Sequence, residues 1–186
     1  MRLVSMRSVF LTLIAGVAGT LFAAGCAGVR PAAPRSQSVE RSGLELVVSF
    51  EKRAYSTSEP IPVRFTLRNA GVAPAWVSRR FYLGAESLPK ESRDVVLHIT
   101  APSGAQAPCL FSFKTGLPKS DDFQRLEPGQ EAVSEHPRDL RGFFTFTEAG
   151  TYTVVAVYQN VHGAEIGLNA FTGRLVSEPA TFTLTQ

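Results

Sequence analysis

From Leu44 onward, apolar positions recur at every second residue. Leu44, Leu46, Val48 and Phe50 alternate with Glu45, Val47 and Ser49, and Ile61, Val63, Phe65 and Leu67 alternate with Pro62, Arg64, Thr66 and Arg68. A period of two puts the apolar set on one face of an extended chain, so these segments read as half-buried strands. Further strands are predicted at Ala75–Tyr82, Val95–Thr100, Leu110–Phe113, Gln130–Ser134, Phe143–Thr147, Thr151–Gln159, Arg174–Ser177 and Ala180–Leu184. Thr151–Gln159 is apolar on both faces, as a central strand is. Turn residues separate these runs: Tyr55–Pro60, Asn69-Ala70-Gly71, Pro102-Ser103-Gly104, Pro128-Gly129 and Glu148-Ala149-Gly150. Helical periodicity is absent, and residues 86–93 or 119–126 have room for one helical turn. The expectation is an all-β chain, an antiparallel sandwich of about 7–9 strands.

The first 43 residues follow other rules. Arg2 and Arg7 precede a nearly unbroken apolar run, Val9–Phe22, and small residues follow it. That is the layout of an export signal, and the run is short for a membrane span. The closing Ala23-Ala24-Gly25-Cys26 resembles a bacterial lipoprotein signal, although that family favours Leu at the position of Ala23. The resemblance implies that Cys26 is acylated and becomes the mature N-terminus. Several acyl chains hold a protein on a bilayer where one binds only marginally, at about 0.8 kcal/mol per buried methylene. Ala27, in place of Asp, implies outer-membrane sorting in a Gram-negative cell. The alternatives are an ordinary signal cut near Ala24, or an uncleaved anchor. The organisation expected is a signal at 1–25, a disordered tether at 26–43, rich in Pro, Ala, Ser and Arg, and a folded domain at 44–186.

Charge narrows the partners. The chain is basic overall, with a net charge of +3, but Arg2, Arg7, Arg30, Arg35 and Arg41 lie before the domain. From Leu44 to Gln186 there are 14 basic and 15 acidic residues, a net of −1. No basic stripe or basic–aromatic motif appears, so no nucleic-acid partner is expected. With Cys26 lipidated, Cys109 has no cysteine to pair with. Its apolar surroundings, Pro108-Cys109-Leu110-Phe111-Ser112-Phe113, favour a buried thiol over a reactive one.

Three segments resemble extracellular bacterial immunoglobulin-like domains. Ser58–Asn69 is similar to their second-strand pattern GEPIPVTFTLTN, Leu126-Glu127-Pro128-Gly129-Gln130 to their L-x-P-G turn, and Glu148–Val154 to their G-T-Y-T-V segment. The resemblance implies an immunoglobulin-like fold over 44–186. It also implies a tyrosine corner at Tyr152, whose hydroxyl would fold back onto the preceding connection. The inter-sheet cysteine pair is missing, and Trp76 is expected to fill the core in its place. The order of elements also resembles the BsuPI-type proteinase inhibitors, without an identifiable inhibitory loop; the loops at 82–93 and 114–125 are the candidates.

Motifs for chemistry are sparse. There is no G-x-S-x-G elbow, no H-E-x-x-H and no phosphate-binding glycine loop. His98, His136 and His162 share no ligand spacing. Asp121-Asp122 reads as a solvated turn or cap more readily than as a cation site, which needs six or more oxygens. No catalytic residue, metal or cofactor is expected. Two surface features remain. In Trp76–Tyr82, aromatic and Arg residues of the kind that anchor interfaces lie together, with Arg79 and Phe81 as contact candidates; core packing is the competing reading. The 160–173 loop, with His162 and Phe171, either caps the sandwich or meets a partner. The function expected is a non-enzymatic, membrane-anchored envelope module that contacts another envelope protein. A proteinase inhibitor is the alternative, and a carbohydrate-binding module is the third reading.

Overall fold

The computed structural model describes residues 43–110 and 116–186. The predicted signal and tether, Cys26 among them, lie outside the described residues, as do Phe111–Phe113 of one expected strand.

Strand β1 (Leu44–Phe50) crosses the turn-rich segment 51–61, which carries the short β2 (Ala54–Ser56), into β3 (Pro62–Asn69). β1 and β3 pair antiparallel from Leu44↔Asn69 to Phe50↔Val63. The alternation seen in the sequence becomes a face: Val63, Phe65 and Leu67 are fully buried, while Arg64, Thr66 and Arg68 point away. On the other side of β3 lie β7 (Glu131–Val133) and β8 (Arg138–Asp139). The opposing sheet is built on β9 (Gly150–Asn160), flanked on one side by β5 (Val95–Thr100) and on the other by β10 (Gly173–Val176) and β11 (Ala180–Thr185) in succession. β2 joins the far edge parallel to β11. A third pair, β4 (Ala75–Ser78) with β6 (Phe123–Leu126), closes one flank. The result is an all-β, antiparallel sandwich with one core between its layers. Each fully buried Phe, Leu or Val contributes about 1.5–3 kcal/mol relative to exposure.

The tyrosine corner is present. Tyr152 is buried; its hydroxyl donates to the Glu148 carbonyl (2.9 Å) and accepts from the Glu148 amide (3.1 Å). Its ring stacks on Phe182, with centroids 5.3 Å apart, and Phe146 meets it edge-on at 5.2 Å. The predicted Asn69 turn is closed by the buried Asn69 amide, which donates to Ala73 and Leu126 carbonyls (both 2.9 Å) and accepts from Gly71 N–H (3.0 Å).

Four expectations are corrected. Trp76 is only half-buried, and the core position goes to its neighbour Val77. Cys109 is exposed rather than buried; its described backbone pairing is a bridge to Phe144. Phe143–Thr147 forms no strand; it is an irregular connection held by Phe146 packing and the Tyr152 hydroxyl. The strand expected over Ala75–Tyr82 stops at Ser78, with consequences for the site.

Candidate functional site

β4 ends at Ser78, and beyond it two consecutive side chains that strand alternation would send to opposite faces are both covered: the Arg80 side chain is only 6% exposed and Phe81 only 1%. The backbone reconciles them by turning left-handed at Phe81, with φ 49°. For a bulky residue that conformation is an outlier costing on the order of 1–3 kcal/mol. The Phe81 ring offsets it by entering the core, stacked on Phe65 at 6.3 Å and tilted against Tyr158 at 6.2 Å. Phe81 is therefore withdrawn as a partner contact: the turn sends it inward.

Arg80 is held by Asp94, whose own side chain is 3% exposed. Arg80 Nη2 donates to Asp94 Oδ1 (2.9 Å), and the Tyr82 amide donates to Oδ2 (3.1 Å). Arg80 Nη1 donates to the Gly116 carbonyl (2.8 Å), while its buried Nε has no acceptor among the described residues. The Arg80 guanidinium lies 5.2 Å from the Tyr82 ring centroid. Burial pushes the Asp94 carboxyl above the ordinary carboxylate value, against the opposing pull of the Arg80 charge and of hydrogen bonds from Arg80 and Tyr82. Below this pair, the Tyr158 hydroxyl accepts from Ser78 N–H (3.0 Å) and donates to Ser78 C=O (3.2 Å). Burial, reinforced by the Asp94 carboxylate, raises that phenol too.

Above the pair opens a cleft of about 210 Å³. Arg79 and Tyr82 line one side, and Ser134, Glu135, His136 and Arg138 line the other. Arg79 is exposed; its Nη1 sits 3.7 Å from Glu135 and its Nη2 donates to the Asp121 carbonyl at 3.4 Å. Such an exposed pair is worth about 0–1 kcal/mol. Ser134 extends the β3 ladder, its amide donating to Phe65 C=O (2.9 Å) and its Oγ accepting from Phe65 N–H (3.1 Å). Arg138, on β8 opposite Val63, makes no ion pair or side-chain hydrogen bond among the described residues. Asp122 completes the lining; its Oδ2 accepts from Lys119 N–H (2.8 Å), capping the short 3-10 turn at Ser120–Asp122.

The other candidates lie elsewhere. His162 is nearly covered: Nδ1 meets Glu165 Oε1 at 2.7 Å and Nε2 lies 3.4 Å from the Glu91 carbonyl. Amides of Glu165 and Gly163, with His162, hold the Glu165 carboxyl below its ordinary value. Phe171 stacks on Tyr158 at 6.4 Å, and its amide donates to Trp76 C=O (2.8 Å). The 160–173 loop thus caps the sandwich end and presents neither His162 nor Phe171 as an open contact. The 82–93 loop is drawn back onto β5 through Gly84 N–H to Val95 C=O (2.9 Å) and onto itself through Arg93 Nη1 to Ala85 C=O (2.9 Å). His98 lies on the outer face of β5 opposite Val155, away from the cleft.

Of the four contact candidates, Arg79 alone lies open on the cleft. Asp94, Ser134 and Arg138 were invisible as site residues because each comes from a different strand region, and no local spacing links them. Among the described residues, no three of His, Cys, Asp or Glu converge as a metal site, and no helix is long and apolar enough to cross a membrane. No protein-family model matches the chain, and no curated protein sequence matches it.

Proposed function

We propose that this chain is a lipid-anchored protein of the bacterial envelope whose immunoglobulin-like domain binds another envelope protein at the Arg79–Tyr82 cleft. The anchor rests on the Ala23-Ala24-Gly25-Cys26 pattern after an apolar run. The contact reading is carried by one observation: a strained bulky residue and a buried ion pair lie together beneath the cleft. Backbone strain and desolvated charge both cluster at functional sites. The rim supplies Arg and Tyr, residue types that dominate interface energetics. The cleft's three guanidinium groups stay charged near neutrality and suit the binding of an anionic group. The inhibitor alternative would need a rigid protruding loop; of its two candidates, 82–93 is tied to β5 at its base and 114–125 lies partly outside the described residues.

Two experiments test this. Labelled palmitate is expected to enter the wild type and not Cys26→Ala, which leaves the membrane fraction; equal labelling removes the anchor. A photocrosslinking residue at Tyr82 is expected to give one discrete adduct in intact cells, lost in Arg79→Glu. The same residue at Thr181, on the opposing sheet, should give none. An adduct at Thr181 alone would move the contact surface off the cleft.

A further inference from the structure

We propose that the cleft recognises a single carboxylate on an extended peptide segment of the partner. This rests on the preceding reading of the cleft as the contact surface and adds the chemistry of what enters it.

Donors outnumber acceptors there. Arg79, Arg80 and Arg138 line the cleft against Asp122 and Glu135. Both carboxylates are engaged: Asp122 caps its turn and Glu135 faces Arg79. Arg80 has its counterion in Asp94, but its buried Nε lacks an acceptor. Arg138 lacks one altogether among the described residues, and the Ser134 hydroxyl, already accepting from Phe65, still has its proton to donate. A carboxylate offers two oxygens and about four lone-pair sites, and its fork geometry matches guanidinium. With Asp94 counted, three carboxylates balance the three guanidinium groups, so the open donors rather than net charge draw the ligand, and Asp122 opposes a doubly charged phosphate more than a singly charged group.

Size selects the carrier. Pockets that engulf small molecules run to about 300–1,000 Å³; this one, at about 210 Å³, admits a side chain or a chain end. Tyr82 and Leu117, 37% and 73% exposed, offer apolar surface for the flanking backbone. Leu117 adjoins Gly116, the residue bonded to Arg80.

The test is an NMR titration of the isotopically labelled full chain with blocked dipeptide-sized probes. N-acetyl-glutamate-methylamide is expected to shift the amides of Tyr82, Ser134 and Arg138 saturably, in the millimolar range. The glutamine analogue should leave them still. N-acetyl-alanine with a free carboxylate distinguishes a chain terminus from a side chain: the tighter of the two carboxylates identifies the source. Arg138→Gln and Arg79→Gln should each weaken the probe at least about tenfold, while Arg174→Gln leaves it unchanged. Added salt should weaken it as well. Equal shifts from the glutamine analogue, no saturable shift from either carboxylate, or tighter binding of N-acetyl-phosphoserine-methylamide would overturn the proposal. A Tyr82 adduct that persists beside a failed titration would leave the contact surface standing and sink only the carboxylate.

Discussion

Tyr152 and Tyr158 sit on the same strand, face the same core and are equally buried, yet they do different work. The Tyr152 hydroxyl closes a loop four residues away, inside an aromatic cluster with Phe146 and Phe182. The Tyr158 hydroxyl reaches Ser78, eighty residues back in the chain, beside a buried Arg–Asp pair and a strained Phe81. One half of β9 is an apolar, locally satisfied end. The other is a polar, long-range end that opens on a cleft. A locally bonded apolar end and a long-range polar end are thus separated along a single strand.

The comparison breaks most sharply at Asp94. Asp94→Ala leaves Arg80 charged and unpaired in a buried site, and is expected to destabilise by about 3–5 kcal/mol in urea unfolding. A loss under about 1 kcal/mol would mean that water reaches the pair and that the polar end is not held as described. Next comes the tyrosine pair. Tyr158→Phe strips the buried Ser78 amide and carbonyl of their partner and should cost about 2–3 kcal/mol. Tyr152→Phe frees groups of half-buried Glu148, which water can satisfy, and should cost about 1 kcal/mol. Equal costs would erase the distinction between the two ends.

The same contrast sets what the sequence disclosed. The apolar end was legible: period-two strands, the turn at Glu148-Ala149-Gly150 and the corner at Tyr152 all depend on residues within a few positions. The strand alternation also predicted the covered faces of β1 and β3. The polar end was only half legible. Its Arg79–Tyr82 run stood out by residue type, but strict alternation sent Arg79 and Phe81 to one face. The left-handed turn at Phe81 broke that rule, burying Phe81 and leaving Arg79 outside. Arg138 and Asp94 carried no local signal, because their meaning comes from strands that meet only on folding. Cys109 misled because an apolar neighbourhood in sequence is not a covered one in space.

Acid sharpens the contrast further. The Asp94 carboxyl titrates above its unfolded value of 3.8. The native state therefore holds the extra proton in that window, and the Asp94 contribution declines as pH rises from 3.8 through the folded value. The stability of the wild type minus that of Asp94→Asn should fall across that window and then level, measured by urea unfolding in steps of pH. A difference rising with pH would show that Arg80 outweighs burial. The smallest effect on folding is expected from Arg79→Glu, within about 0.5 kcal/mol, because the residue is exposed.

Hydrogen–deuterium exchange on the crosslinked complex tests the central claim most directly, because it reads every surface at once. The account predicts new protection in peptides covering 79–84 and 134–138, with the outer face of β9 and β11 unchanged. Protection confined to β9 and β11, with 79–84 and 134–138 exchanging as in the free chain, would contradict it.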